Sequence, residues 1–145
     1  YDYLTLILSL KGVDCAILNS LLYSHHAVTF FDQLFVSYTD SAREIKSSIQ
    51  KLLKKNGQGM LPVNVSPMPI CLMKGYENYV GVQETAKNMQ NKKIEFFHRG
   101  TATNKNEKCL SCVYMKECDG FDVFYVKKKG WHEMVPVKKF SPQNP

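Results

Sequence analysis

Five cysteines carry the most distinctive chemistry of this 145-residue sequence, and they are Cys15, Cys71, Cys109, Cys112 and Cys118. The last three follow the spacing C-x2-C-x5-C. A zinc site needs about four nitrogen or sulfur ligands, so these three cysteines and a histidine are candidate ligands. His132 or His98 could be the fourth ligand. The full spacing to His132 matches no established zinc pattern.

Three interpretations of these cysteines stay open at this stage: ordinary thiols, a zinc site or a disulfide. If residues 108–115 form a strand, Cys109 and Cys112 point to opposite faces, which opposes shared ligation. An odd cysteine count without framework spacing favours reduced thiols and a cytoplasmic protein. A redox C-x-x-C motif normally opens a helix in a thioredoxin-like unit, and that context is missing. Ordinary thiols are therefore favoured, and neither a metal nor a cofactor is predicted.

The remaining polar residues give no catalytic pattern. His25, His26 and Asp32 could serve acid–base chemistry, but no nucleophile motif, phosphate-binding glycine loop or carboxylate pair accompanies them. Tyr76 begins a Tyr-Glu-Asn sequence of the kind that some phosphotyrosine-binding modules recognise. The sequence thus predicts a protein that is not an enzyme, with Tyr76 as an interaction candidate.

The positive charge lies mainly in the second part of the chain. The net charge is +6, and residues 56–145 carry thirteen basic and eight acidic residues. Lys127, Lys128 and Lys129 form the longest basic run, so they are candidates for binding nucleic acid or acidic partners. Aromatic residues nearby could stack on bases, although alternating aromatics in strands more often fill a core: Phe96, Phe97, Phe121, Phe124, Tyr125 and Trp131.

The elements that would position these residues change character near residue 57. Before it, the pattern predicts a strand at 3–10, a short helix at 14–23, a strand-like run at 27–38 and an amphipathic helix at 41–55. After it, the pattern predicts short strands at 61–65, 70–73, 79–83, 93–98, 108–115, 121–127 and 131–137. Such spacing is typical of a β-sandwich.

The predicted fold class is therefore α+β, with a short β/α segment followed by an all-β immunoglobulin-like sandwich. The predicted domains are residues 1–57 and 58–140, with a linker at 141–145. No apolar run reaches the roughly 20 residues that a transmembrane helix needs, so no transmembrane segment is predicted. The first ten residues lack the features of a signal peptide, and the sequence starts without methionine, which favours an internal fragment or a processed chain.

The element order resembles that of the Dof/BCAP/BANK signalling adaptors. The strand at 5–10, the helix at 14–23, the strand at 33–38 and the helix at 41–53 are similar to the C-terminal half of a TIR-type domain. The Pro-Val-Asn-Val opening at 62–65, with 93–97 and 119–125, resembles an IPT/TIG immunoglobulin-like domain. This resemblance implies a cytosolic scaffold that binds protein partners and forms homodimers, and it transfers no functional residue.

The sequence thus predicts a protein–protein interaction module of a cytoplasmic signalling adaptor. Nucleic-acid binding by the basic second part is the alternative. An α/β enzyme is the third and weakest hypothesis.

Overall fold

The structure is a computed structural model that describes residues 6, 13, 15–21, 23, 26–55, 62–81 and 103–139. Its strands are β1 (Ala16–Leu18), β2 (Val63–Val65), β3 (Thr103–Asn104) and β4 (Phe121–Asp122). Its α-helices are α1 (His26–Thr29), α2 (Phe31–Leu34), α3 (Tyr38–Lys55) and α4 (Val123–Lys129). Three 3₁₀ helices span Ile70–Leu72, Glu77–Tyr79 and Glu107–Ser111.

The prediction of an immunoglobulin-like sandwich is wrong. Of the residues that the structure describes, about 46% are helical and 11% lie in strands, which form two small sheets. Strand β1 pairs with β2 in parallel, and β3 pairs with β4 in antiparallel orientation. A β-sandwich needs two sheets that pack face to face, and these two-stranded sheets are too small to form such a pair. The all-β part of the predicted fold class, after residue 57, is therefore wrong.

The strand predicted at 61–65 is confirmed as β2, whereas three of the other short runs predicted as strands contain helical turns. The structure has 3₁₀ helices where strands are predicted at 70–73 and 108–115, and it has α4 in the run at 121–127. Residues 131–137 contain no strand, and 93–98 lie outside the described residues. An apolar run of four to seven residues fits a strand or a helical turn equally well, so periodicity alone does not separate them.

The first part of the chain also differs from its prediction. The predicted helix at 14–23 contains β1, and the predicted strand at 27–38 contains α1 and α2. Of the strand predicted at 3–10, only Leu6 is described, and it is helical. Ala16 lies opposite Val63 in the β1–β2 pair, so pairing with a distant segment determines the conformation of β1.

The amphipathic helix is confirmed as α3, and it begins at Tyr38 rather than at Ser41. Its apolar stripe is buried, with Ile49 and Leu52 at 0% and 1% exposure. The sequence predicts a capping box at 41–44, whereas the observed N-terminal hydrogen bond runs from the Asp40 N–H to the Ser37 hydroxyl, at 3.0 Å. The helix therefore includes one more turn than its stripe of apolar residues indicates.

The N-terminus of α3 receives its main cap from Glu133, far along the chain. The Glu133 carboxylate accepts hydrogen bonds from the Tyr38 and Thr39 N–H groups, each at 3.2 Å. The same carboxylate accepts a 2.5 Å hydrogen bond from the Tyr125 hydroxyl. A carboxylate at this position satisfies free backbone donors and interacts favourably with the helix dipole. This contact ties the segment after α4 to the start of α3.

Segments on both sides of residue 57 contribute to one hydrophobic core. It includes the α3 stripe together with β2, and the aromatic rings of Tyr23, Phe31, Tyr38, Phe121 and Tyr125. Tyr38 lies 4.6 Å from Tyr125 and 5.1 Å from Phe121, measured between ring centroids. The expectation that aromatic residues of the second part fill a core is confirmed for Phe121 and Tyr125, which are both buried.

Because Tyr38 is buried, we expect the protein to lose stability at alkaline pH. Burial raises the pKa of Tyr38 from 10.0 to about 12, against a hydrogen bond from the Asp122 N–H. The folded state therefore holds this proton more tightly than the unfolded chain. The stabilisation is complete below pH 10 and is lost as the pH rises towards 12. We expect a loss of about 2 kcal/mol from this group over that range.

Unfolding of the wild type and of the Tyr38→Phe variant, followed by circular dichroism at pH 9 to 12, measures this loss. The variant starts less stable, because the Asp122 N–H loses its acceptor, but its stability should fall less steeply with pH. Equal slopes for the two proteins would contradict the expectation. Tyr125 also has a raised pKa, so the difference between the slopes is the relevant measurement.

Within the described part of the chain, no helix combines the length and the hydropathy needed to cross a membrane.

Candidate metal centre

Four of the five cysteines lie close together in the folded chain. The pKa of the Cys71 thiol is raised to about 11, mainly by burial, against a backbone hydrogen bond from Val135 and with smaller contributions from the thiols of Cys118, Cys112 and Cys109. The Ile70 N–H donates a 3.4 Å hydrogen bond to Cys118 Sγ, which joins the segment of Cys71 to that of Cys118. All four cysteines are free thiols of intermediate burial. We call Cys71, Cys109, Cys112 and Cys118 the four-thiol group.

The local backbone around Cys109 and Cys112 is a 3₁₀ helix with its C-terminal cap, and not a strand. Cys109 lies in the 3₁₀ helix Glu107–Ser111, which begins where the Asn106 side chain accepts a hydrogen bond from the Lys108 N–H at 2.9 Å. The Cys112 N–H then bonds to the Cys109 carbonyl at 2.9 Å. Residues three apart are eclipsed in a 3₁₀ helix. The strand expected at 108–115 would have separated these side chains, so this part of the argument against shared ligation is wrong.

The Cys118 sulfur accepts two backbone hydrogen bonds. The Ile70 and Gly120 N–H groups both lie 3.4 Å from Sγ. Burial raises the pKa of Cys118, while these two hydrogen bonds and the charge of Lys105 oppose the increase. Donors directed at a sulfur stabilise its thiolate form, which is the form that binds metals. Burial outweighs these donors, so the pKa of Cys118 is raised on balance and the unbound sulfur is held as a neutral thiol.

Gly120 allows this turn because its φ of +92° is accessible to glycine. A Cβ at this position would collide with the Asn104 carbonyl, next to the β3–β4 pair. We expect Gly120→Ala to lower the free energy of unfolding by about 2–4 kcal/mol, through strain at positive φ and through the collision.

Gly75→Ala is the matched control for this substitution. Gly75 has a φ of +81°, but an added Cβ would meet nothing within 4 Å. Chemical denaturation should show the larger loss for Gly120→Ala, and the difference measures the collision alone. Equal losses would mean that the Asn104 carbonyl moves aside without cost.

The four-thiol group is more open than a site for a single ion. Among the described residues, no three His, Cys, Asp or Glu side chains are placed to hold one metal ion. A tetrahedral zinc site with Zn–S bonds of about 2.3 Å would place its sulfurs only about 3.8 Å apart. In a cluster of four irons each thiolate binds a different iron, so the sulfurs stand further apart than around one zinc ion.

The histidines predicted as further ligands do not join this group. His132 is exposed, and its Nδ1 lies 2.8 Å from the Lys129 carbonyl oxygen. His98 lies outside the described residues. The fourth sulfur comes instead from Cys71, which the sequence analysis did not include among the metal ligands. Cys71 is too far along the chain from the other three cysteines for their spacing to indicate it as a ligand. Only the total number of cysteines could have suggested a fourth one.

The predicted interaction residues lie elsewhere. Lys127, Lys128 and Lys129 form the last turn of α4, where Lys129 Nζ lies 4.2 Å from the centroid of the Phe35 ring. Lys128 Nζ lies 5.7 Å from the centroid of the Phe124 ring. Cations at a helix C-terminus and over aromatic rings stabilise the fold, which gives two of these lysines a structural role.

Tyr76 is also engaged within the chain. Its hydroxyl accepts a 2.5 Å hydrogen bond from the side chain of Gln50.

An open groove of about 400 Å³ runs along α3 and is a second candidate site. Arg43 and Lys46 line it, together with Leu72 and small polar side chains of α3. Arg43 forms ion pairs with Asp40 and Glu44, at 2.7 and 3.7 Å. Burial lowers the pKa of Lys46, against the charge of Glu77. Acidic side chains lie beside both cations and offset their charge. The groove is therefore a weaker candidate for binding an anion than the four-thiol group is for binding a metal.

Comparison with known proteins identifies no relative. No protein-family model, no curated protein and no solved structure matches the chain. The function must therefore be inferred from the four-thiol group itself.

Proposed function

We propose that the four-thiol group binds an iron–sulfur cluster and that the chain acts as an electron-carrying module. The proposal rests on the Ile70 N–H bond to Cys118 Sγ, which joins the segments of Cys71 and Cys118, and on the electrostatic influence of Cys109, Cys112 and Cys118 on the Cys71 thiol. Iron–sulfur clusters are held by four cysteine thiolates, and one common arrangement combines three cysteines close in sequence with a distant fourth. The order of the cysteines here is different, since the distant one comes first.

The hydrogen bonds to the sulfurs would act on a bound cluster, although burial raises the pKa of the unbound Cys71 and Cys118 thiols. Hydrogen bonds to the sulfurs and their exposure to solvent set the reduction potential of an iron–sulfur cluster. Cys118 Sγ accepts two backbone hydrogen bonds, and a further backbone hydrogen bond connects Val135 to the Cys71 thiol. Such bonds stabilise the negative charge that the sulfurs carry when they bind iron.

Reconstitution of the purified chain with ferrous iron and sulfide, without oxygen, tests the proposal. We expect bound iron and acid-labile sulfide, broad visible absorption that dithionite bleaches, and an electron paramagnetic resonance signal in one oxidation state. Addition of zinc alone is the comparison. Stoichiometric binding of zinc with no retention of iron and sulfide would overturn the proposal, as would formation of a disulfide between these cysteines in the native protein.

Two hypotheses from the sequence remain predictions. The signalling-adaptor hypothesis loses its structural support, since it rested on the immunoglobulin-like sandwich. Nucleic-acid binding by Lys127, Lys128 and Lys129 would appear as salt-dependent binding that alanine substitution weakens.

A further inference from the structure

Helix α2 carries apolar side chains on two of its sides. Phe31 faces the core, where its ring lies 4.6 Å from the Tyr23 ring, measured between centroids. Phe30 and Leu34 are one helical turn apart, because the Leu34 N–H bonds to the Phe30 carbonyl at 3.0 Å. Residues spaced by four share one face of a helix. These two side chains are 47% and 45% exposed, so α2 has a second apolar face that the core leaves open.

The basic end of α4 lies beside this open face of α2. Lys129 Nζ lies 4.2 Å from the centroid of the Phe35 ring, and Phe35 directly follows Leu34. The same Nζ lies 5.7 Å from the centroid of the Phe31 ring, and Phe31 directly follows Phe30. Each exposed apolar side chain is therefore the sequence neighbour of a ring that Lys129 contacts. We call the following residues the α2–α4 face: Phe30, Leu34, Lys127, Lys128 and Lys129.

The charge of the α2–α4 face is positive. Its three lysines are exposed and form the end of α4. In α1, α2 and α4, each of which the structure describes in full, the one exposed acid is Asp32. Three cations against one carboxylate attract an anionic surface. Apolar side chains flanked by lysines are the arrangement with which peripheral segments bind acidic membranes.

A nucleic acid, which lysines also bind, fits the α2–α4 face less well than a membrane does. Proteins that bind single strands stack the bases on exposed aromatic rings. The rings beside these lysines are enclosed instead, since Phe31 is buried, Phe35 and Phe124 are half-buried, and a lysine ammonium group lies over each of the three. Leu34 has no ring to offer a base, whereas contact with acyl chains removes its hydrocarbon surface from water.

We propose that the α2–α4 face binds the anionic surface of a phospholipid membrane. The lysines interact with acidic headgroups, and the side chains of Phe30 and Leu34 enter the boundary between the headgroups and the acyl chains. Each lysine close to an acidic membrane strengthens binding about fivefold. This attachment is peripheral, so it needs no membrane-spanning helix, and it requires no metal in the four-thiol group.

Sedimentation of the full chain with phospholipid vesicles tests this assignment. Vesicles of mixed phosphatidylcholine and phosphatidylserine are compared with vesicles of phosphatidylcholine alone. We expect binding to the acidic vesicles to be at least about tenfold stronger at low ionic strength, and to weaken as added salt screens the charges. Equal binding to the two kinds of vesicle would overturn the proposal, and so would a lack of binding to the acidic ones.

Two variants separate the contributions of charge and of apolar contact. Lys127 is exposed, and the ring contacts described for the end of α4 involve Lys128 and Lys129, so Lys127→Glu changes the charge without breaking them. It should weaken binding to acidic vesicles at least about fivefold. Phe30 is the N-cap of α2, a position that serine favours. Phe30→Ser should therefore keep the helix and weaken binding by a similar factor.

Lys51→Glu and Leu110→Ser are the matched controls. Lys51 is exposed on α3, about 20 Å beyond Tyr38 at 1.5 Å per residue, and it is Tyr38 that packs against Tyr125 of α4. Leu110 is 72% exposed, in the 3₁₀ helix Glu107–Ser111. Both controls should bind acidic vesicles like the wild type. Circular dichroism checks that each variant is folded, and Leu34→Ser replaces Phe30→Ser if the latter does not fold.

Three results would assign the α2–α4 face differently. Equal vesicle binding by the wild type, Lys127→Glu and Phe30→Ser would place the membrane contact elsewhere and overturn the assignment. Salt-dependent binding to a single-stranded DNA that Lys127→Glu weakens, measured by fluorescence anisotropy, would identify nucleic acid as the occupant if acidic vesicles are not bound. Dimerisation that Phe30→Ser abolishes, again without vesicle binding, would identify a second copy of the chain.

Discussion

Substitution of Cys118 by serine is expected to lower the iron bound after reconstitution at least about tenfold, because even changes next to metal ligands cost 10–100-fold in affinity. Cys118 Sγ is the thiol that accepts hydrogen bonds from the Ile70 and Gly120 N–H groups. Serine keeps the size and a hydrogen-bond acceptor, so the fold should persist while the soft thiolate ligand is lost. Colorimetric determination of iron and sulfide per chain measures the effect.

Cys15→Ser is the matched control for this substitution. Cys15 precedes β1 and is not among the thiols that act on Cys71. This variant should retain iron and sulfide at the level of the wild type. Cys71→Ser should behave like Cys118→Ser, because the proposal depends on the distant cysteine. Full iron content in Cys71→Ser would contradict the assignment of the fourth ligand, and circular dichroism would show whether each variant is folded.

Removal of the Glu133 carboxylate is expected to lower the stability of the fold strongly. Glu133→Ala should lower the free energy of unfolding by about 2–4 kcal/mol. The variant leaves the Tyr38 and Thr39 N–H groups without their acceptor at the start of α3. It also leaves the Tyr125 hydroxyl without its partner inside the core. Urea denaturation of the variant and the wild type at pH 7 measures the difference.

Glu117→Ala is the matched control, because Glu117 is exposed and its loss removes the same charge. Its stability should stay within about 0.5 kcal/mol of the wild type. Burial tends to raise the pKa of Glu133, but hydrogen bonds from Tyr125, Thr39 and Tyr38 outweigh burial and lower it below 4.5. The stabilisation is therefore present above pH 4.5 and is lost as the pH falls through the lowered pKa. Equal stability of Glu133→Ala and Glu117→Ala at pH 7 would contradict the capping role.

The part of the fold that could be predicted from sequence is the part encoded locally. Helix α3 was predictable because its apolar residues recur over four turns, which no other element type explains. The first turn of α3 was not predictable, because its cap comes from Glu133, and the local sequence pattern does not indicate a contact with so distant a residue. Of the short runs after residue 57, the strand at 61–65 was predicted correctly, whereas the runs at 70–73 and 108–115 were not, because their length does not distinguish a strand from a helical turn.

The candidate site was also predictable only in part, because the local sequence pattern does not indicate contacts between distant segments. The C-x-x-C spacing marked Cys109 and Cys112 as candidate ligands, and it also suggested Cys118. The strand prediction then placed the first two on opposite faces, whereas the 3₁₀ helix aligns them. Cys71 reaches the others through contacts between distant segments, and His132 was proposed from proximity in sequence alone.

The long-range cap on α3 has a consequence for synthesis of the chain on the ribosome. The hydrogen bond from the Tyr38 N–H to Glu133 spans 95 positions, so a nascent α3 emerges long before its acceptor is translated. During that interval the first turn of α3 has only its local bond to the Ser37 hydroxyl, and its apolar stripe is exposed to chaperones and to aggregation. Emergence of Glu133 from the exit tunnel then allows the long-range cap to form.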